Sequence, residues 1–283
     1  MRSVPVIVSL IAAMILLSGN ASASLYQISK VSGSVYAAIA EPNGKAASNA
    51  LFVVTDHEVI LAGAHFIQEG VKELLAEIGR ITPLPVQKVI LTHHHRGFNF
   101  IDFDFPEKAE IVASVNVWQA LKGESREFRN PAVVFEKLLT LNRGKTSLVI
   151  MNAGPGHSSG DVIVYLPNER ILFASDLLFH DTVGFMGEAS IHEWGEALDM
   201  METLAPAIVV PGVGKVSDSG AIEKFRKFYR AFMTEIIRNV EKGNSFVQTK
   251  KEFSLPQYKS LPGYDTFLEV NLERAYKQFK SRR

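Results

Sequence analysis

Three histidines and one aspartate carry the clearest chemistry in this 283-residue chain. His93 and His95 stand two apart, directly after the apolar run Lys88–Thr92 (KVILT). In extended backbone, residues i and i+2 point the same way, so these two imidazoles share a face and His94 takes the other. That is a two-point grip for a metal ion. Zinc takes three or four such ligands, at about 2.0–2.1 Å for nitrogen. A third candidate is His157, in the glycine-dense stretch Gly154-Pro155-Gly156-His157-Ser158-Ser159-Gly160. A fourth is Asp176, directly after the expected strand Ile171–Ser175, where a carboxylate is either a turn cap or a ligand. Two other chemistries are excluded. The chain has no cysteine, hence no thiol nucleophile, no disulfide and no Cys metal ligand. It also lacks the GxSxG elbow of a serine hydrolase, since Gly156-His157-Ser158-Ser159-Gly160 has the wrong spacing.

The elements that must position these residues follow from hydrophobic periodicity. Val35–Ala40, Leu51–Thr55 and Glu58–Ala62 are expected strands, with Asp56-His57 as a turn between the last two. Gln68–Ile78 places Val71, Leu74, Leu75 and Ile78 on one helical face. Lys88–Thr92 and Glu110–Ser114 are further strands, and Asn116–Lys122 and Pro131–Leu139 are expected short helices. Ser147–Asn152, Val162–Leu166 and Arg170–Ala174 return to strand, with a hairpin at Pro167-Asn168. Ser190 and Glu193 read as a capping box for a helix that turns Trp194, Ala197, Leu198, Met201 and Leu204 inward. Ala207–Val210 is a strand ending at Pro211-Gly212. A long amphipathic helix follows through Ile222, Phe225, Phe228, Phe232, Ile236 and Val240 and stops at Gly243. The C-terminal stretch ends in a helix near Thr266–Lys280. The expected architecture is α/β (α+β): sheets stacked as a sandwich and covered by helices, with strand ends delivering polar residues to one edge.

Composition sets the wider bounds. At 47% hydrophobic and 21% charged, the chain is globular rather than disordered. Its formal net charge of zero lacks the basic excess of a nucleic-acid binder. Residues 1–23 read as a signal peptide: Arg2 gives a positive start, Val4–Leu17 an apolar core, and Ala21-Ser22-Ala23 a cleavage site. That core is shorter than the about 20 residues of a membrane span. The expectation is a periplasmic or secreted protein with no stable membrane insertion after cleavage. Its expected partner is a small-molecule substrate, with oligomeric state left open.

The order of motifs resembles that of the metallo-β-lactamase superfamily over roughly Leu25–Lys215. The family's first metal motif, THxHxDHxGG, reads here Thr92-His93-His94-His95-Arg96-Gly97-Phe98-Asn99-Phe100. Its third-ligand loop matches at His157, and its bridging-aspartate motif matches at Asp176 in Ser175-Asp176-Leu177-Leu178-Phe179. The resemblance implies a four-layer αββα sandwich over 24–243, with 244–283 as a helical extension packed on that domain. It also implies a metal site of His93, His95, His157 and Asp176. The departures are patterned. Positions that hold a second zinc in the family are Gly97, Phe98 and Val213, so one zinc ion per chain is expected and no dinuclear centre. The aspartate of the family's IDTG strand end is Ala62 in Ile60-Leu61-Ala62-Gly63-Ala64. Outer partners of that kind change metal affinity about 10- to 100-fold, so affinity falls unless another group substitutes.

His65, close to that loop, is a candidate for the site mouth, and His180, after Asp176, is a similar one. His57 and His192 read as surface residues, and His94 as structural or rim-facing. Arg96 stands beside the ligands as a cation open to three roles: holding a substrate anion, filling the space of the lost metal, or a surface ion pair. Asn271-Leu272 and Tyr276 resemble the ending of exported superfamily members found with quinoprotein and sulfur-oxidation systems, and β-lactam is not assigned as substrate. Two functions are implied. The first is a secreted mono-zinc hydrolase of esters, lactones or amides, in which hydroxide on zinc attacks and Asp176 orients the water or takes its proton. The alternative is a non-catalytic binding protein on the same fold, with Phe98, Phe100 and Val213 filling the former second-metal space.

Overall fold

The computed structural model describes residues 24–42, 45–95, 105–122, 129–187 and 190–281. In chain order the strands are β1 Tyr26–Ser32, β2 Val35–Ala40, β3 Ala50–Val54, β4 Val59–Gly63, β5 Val86–Leu91, β6 Glu110–Ser114, β7 Ala132–Phe135, β8 Leu138–Arg143, β9 Thr146–Gly154, β10 Asp161–Leu166, β11 Ile171–Phe179 and β12 Ile208–Val213. The helices are α1 Gln68–Ile81, α2 Val115–Leu121, α3 Ile191–Thr203, α4 Gly220–Glu241, α5 Phe246–Glu252 and α6 Tyr264–Ser281. Among the described residues no helix is long and apolar enough to cross a membrane.

Seven strands form one sheet in chain order, β1 to β7, and five form the second in the order β12-β11-β10-β9-β8. The first sheet is antiparallel through β4 and parallel from β4 to β7. Parallel neighbours need a crossover, and α1 and α2 supply two of them, covering the outer face of that sheet. Strands β10 and β11 show how the layers stack. Val162, Val164 and Leu166 of β10 and Ile171 and Phe173 of β11 face the core shared with the first sheet. Their alternate residues Ile163, Leu172 and Ala174 join a second core with α3, α4 and α6. Both faces of the second sheet are therefore apolar, which gives the αββα order the sequence resemblance implied.

Trp194 of α3 anchors the outer core. It is fully buried, its Nε1–H donates to the Leu177 carbonyl at 2.9 Å, and its ring meets Phe225 and Tyr229 of α4 at 5.8 Å. The helix α4 ends with Gly243 at φ +78°, the left-handed conformation that glycine adopts without strain.

Two local expectations are corrected. Pro131–Leu139 is not helical but two strands, β7 and β8, that belong to different sheets. Its spacing of apolar residues suits a helix, but Val133 and Val134 are β-branched and β7 continues the parallel ladder, with Val112 paired to Val133. The chain then crosses between sheets, where Asn152 donates from Nδ2 to the Glu136 carbonyl and from its amide to the Lys137 carbonyl. The capping box at Ser190 and Glu193 does not form. Ser190 precedes α3 as expected, but its hydroxyl makes no capping hydrogen bond. A capping box does form at Ser245 and Gln248, before α5.

Candidate metal centre

The end of β5 is tied to both sheets where the histidines emerge. Thr92 donates its amide to the Gly63 carbonyl at 2.9 Å and accepts the Val162 amide at 2.7 Å. Its hydroxyl shares a 2.7 Å hydrogen bond with Ser175 of β11. His93 and His95 follow at once, both buried, with ring centroids 5.3 Å apart. The expected same-face placement therefore holds. His94 is buried as well but lies outside the group.

His157 meets both from the loop between β9 and β10, at 4.8 Å from the His93 ring and 4.6 Å from the His95 ring. Asp161 shapes that loop. Its buried carboxylate accepts the amides of Gly156 (2.9 Å) and Ser158 (3.0 Å) and the Ser158 hydroxyl (2.8 Å). Gly187, at φ +68°, then lets the following loop lie directly on the His157 carbonyl, where any β-carbon would collide. The same loop brings Phe185 to 6.0 Å from the His157 ring and 5.9 Å from the His95 ring.

Asp176 is not at a strand end, as the sequence suggested, but inside β11. The strand continues to Phe179 through an irregularity at Ser175, whose φ of +49° shifts the register against β12. That kink turns the carboxylate toward the histidines: Oδ2 lies 3.6 Å from His93 Nε2 and 3.7 Å from His157 Nε2. The backbone of Gly212 packs on Oδ1, leaving no room for a side chain. Asn49 fixes this loop by donating from Nδ2 to the carbonyls of Pro211 (2.8 Å) and Gly214 (2.9 Å) while its Oδ1 accepts the Ala40 amide. Sequence reasoning missed Asn49 and Asp161, whose work lies in backbone contacts that no ligand motif advertises.

His65 sits in the short loop between β4 and α1, inside the site rather than at its mouth. It is 8% exposed, and its Nε2 lies 3.3 Å from Asp176 Oδ2. His180 stays apart: its Nδ1–H donates to the Lys215 carbonyl and its Nε2 faces Asp181. His57 and His192 are exposed, as expected. Val213 is half-buried at the end of β12, and Ala62 is buried inside β4. Arg96, Gly97, Phe98 and Phe100 lie outside the described residues, as do 1–23.

Among the described residues the ligand atoms fall into two groups, His93, His95 and His157, and His65, His93 and Asp176. Within each group the atoms lie within 4.8 Å of one another. Such donors fit a metal ion. His93 Nε2 and Asp176 Oδ1 are buried without a hydrogen-bond partner, a state that costs about 1–3 kcal/mol for each atom and that a cation offsets. His95 and His157 hold their Nε2 atoms 2.8 Å apart, so one donates a proton to the other's lone pair when no ion takes both. Burial keeps His93 neutral and pulls His157 down to about 3. Burial alone would raise Asp176, but the facing His93, His65 and His157 hold its carboxyl below the usual carboxylate range.

These shifts set an acid sensitivity for metal-stripped protein. Two histidines stay unprotonated in the folded state but bind protons below pH about 6.5 when unfolded, so each withdraws about 1.4 kcal/mol of stability per pH unit lowered. Asp161 works against one of them: burial pushes it up to about 6, so folded protein takes its proton before unfolded protein does. The net expectation is a loss of about 1 kcal/mol per pH unit from pH 6 to pH 4, read by urea unfolding after chelation. A flat profile over that interval contradicts the burial of neutral imidazoles.

Comparison with known proteins agrees with the fold. The family model described as Metallo-beta-lactamase superfamily matches residues 102–213, which include His157 and Asp176 but not His93 and His95. A metallo-beta-lactamase type 2 from Bacillus sp. (strain 170) is 26% identical over 186 residues, 64% of this chain and 72% of its own. One from Bacteroides fragilis is 23% identical over 217 residues, 73% of this chain and 86% of its own. The solved metallo-beta-lactamase from Pontibacter korlensis has a similar fold, with a TM-score of 0.64 at 22% identity. That match covers 72% of this chain and 99% of the other. The DIM-1 metallo-beta-lactamase gives 0.60 at 20% identity, covering 72% and 97%.

Proposed function

The chain belongs to the metallo-β-lactamase superfamily, and from that membership we propose that it is a mono-zinc metallohydrolase acting on an ester, lactone or amide. The observation that carries this reading is the convergence of His93, His95 and His157, with the Asp176 carboxylate 3.6 and 3.7 Å from two of them. His93, His95 and His157 would hold a zinc ion, which would supply a Lewis acid for a carbonyl oxygen and lower the pKa of water to about 7.

The chain's own residues do the rest. Burial keeps His93 and His157 neutral, so their lone pairs are available as ligands. Asp176 stays charged and orients the attacking water, then accepts its proton at Oδ2. Phe185 covers His95 and His157 on one side and keeps bulk water from them. Phosphodiester cleavage by a pair of ions is outside this reading, because Gly97, Phe98 and Val213 occupy the family's second-metal positions. β-Lactam is not assigned as substrate.

The same proposal assigns 24–243 to the hydrolase domain and 244–283 to a helical extension on it. Residues 1–23 direct export, with action in the periplasm or outside the cell. The test is a panel of ester, lactone and lactam substrates with protein as purified, after chelation, and after zinc is restored. At least one substrate is expected to turn over, to lose about 100-fold or more in rate on chelation, and to recover with zinc. Zinc-free protein that neither takes up zinc nor turns over any member of the panel replaces this reading with a binding protein on the same fold.

A further inference from the structure

We propose that Glu73 of α1 is the receptor for the chain's own amino terminus, formed when residues 1–23 are removed at the Ala23–Ser24 bond. This inference rests on the export role proposed for 1–23 and not on the zinc reading. It makes Glu73 and Ser24 an ion pair that only the processed chain can form.

Three observations carry it. The first is a built contact. The Glu73 carboxylate accepts the Ser24 hydroxyl at 2.5 Å, the Leu25 amide at 2.9 and 3.0 Å, and the Tyr26 amide at 3.0 Å. The first residues of a domain are poorly ordered unless tied down, and these are tied twice, since the Leu25 carbonyl accepts the Glu41 amide at 3.0 Å. Tyr26 follows, buried, with its ring against Gly70 of α1 and its hydroxyl 3.5 Å from the His65 carbonyl. The second is charge. Partial burial alone would raise Glu73, but the Ser24 hydroxyl and the two amides hold its carboxyl below the usual carboxylate range. These three donors are all neutral. The third is position. Ala21-Ser22-Ala23 is a small-x-small cleavage pattern, so the new terminus is Ser24, the first residue that Glu73 holds. Successive backbone nitrogens lie no more than about 3.7 Å apart, which puts the Ser24 nitrogen within about 7 Å of the carboxylate. Turning about the Cα–C bond of Ser24 moves that nitrogen without disturbing Leu25.

The step that forms the pair is a hydrolysis. A peptidase of the exporting cell adds water across the Ala23–Ser24 bond. The Ala23 carbonyl carbon takes the water oxygen and leaves as a carboxylate, and the Ser24 nitrogen takes both protons. In the uncut chain that nitrogen is a neutral amide. In the cut chain it is an ammonium below its ordinary pKa of about 7.7–8.0. Glu73 is half-buried at the seam between β1 and α1. A cation within its reach favours the folded state, where the two groups are held together, over the unfolded state, where they are not.

The experiment starts with the full chain, exported behind its own residues 1–23, and reads its first residue by intact mass. Ser24 is expected. Four proteins are then melted at pH 7: the chain starting at Ser24, the same chain behind a neutral Gly-Gly-Ser extension, and each of these with Glu73→Gln. Glutamine keeps an oxygen for the hydroxyl and the amides but carries no charge. The chain starting at Ser24 is expected to melt about 2 °C above the extended one, and Glu73→Gln is expected to abolish that difference. If Glu73→Gln does not fold, the unmutated pair carries the test alone. Equal melting of that pair, or a difference that persists in Glu73→Gln, overturns the ion pair and leaves Glu73 as an acceptor for the first amides of β1. A first residue other than Ser24 also overturns it, and retention of residues 1–23 overturns the export role as well. Zinc content and turnover of the same samples report separately on the hydrolase reading.

Discussion

His95→Ala is expected to lower zinc affinity by more than about 100-fold and to leave the fold intact. Removing an outer partner of a metal ligand costs about 10- to 100-fold, and removing a ligand itself costs more. Here the loss is compounded, because His95 Nε2 and His157 Nε2 point at the same spot 2.8 Å apart. Only two of the three histidines then remain to hold the ion. The fold survives because His95 lies beyond the end of β5, outside both apolar clusters. The check is elemental zinc content after dialysis, with circular dichroism to establish folding. His157→Ala is expected to behave alike for metal. Its stability is expected to fall further, since its ring packs against Phe179, Phe185 and Trp194. Unchanged zinc content in folded His95→Ala removes the proposed site.

Trp194→Ala is expected to destabilise the protein by about 3–5 kcal/mol. The indole is fully buried among Phe179, Phe225, Tyr229 and His157, so its loss opens a large cavity. It also leaves the Leu177 carbonyl without its donor, inside the strand that carries Asp176. For a domain of this size the melting temperature is expected to fall by about 10 °C or more. Zinc affinity is expected to drop too, because the ring 5.9 Å from His157 backs one ligand and the Leu177 carbonyl adjoins another. Trp194→Phe separates the two effects: it refills most of the volume but supplies no N–H. A variant that melts like wild type contradicts the role given to this side chain in joining α3 to β11. Calorimetry and a zinc competition titration read both quantities.

The chain from Gly184 to Gly187 shows how far the site depends on distant sequence. Asn271 of α6 is buried, donates from Nδ2 to the Gly184 carbonyl and accepts the Met186 amide at Oδ1. Arg274 donates to the Gly187 carbonyl and lies over the Phe185 ring at 4.4 Å. The C-terminal helix thus fixes the loop that covers His95 and His157. Asn271 was visible in the sequence as part of a familiar ending, but its hydrogen bonds were not, because they link residues 85 and 87 apart.

The sequence by itself paired His93 with His95, because alternation in a strand puts residues two apart on one face. His157, Asp176 and the αββα layering were legible only through the order of motifs and its resemblance to a family. The tertiary structure alone decided the rest. It placed β7 and β8 in different sheets, because a ladder partner outweighs the helical spacing of Pro131–Leu139. It put Asp176 inside a kinked strand, where Ser175 has a positive φ and the register against β12 shifts, features that no apolar pattern marks. It brought His65 into the site, because the end of β4 is carried beside β11 by the stacking of two sheets, a distance that no local periodicity records.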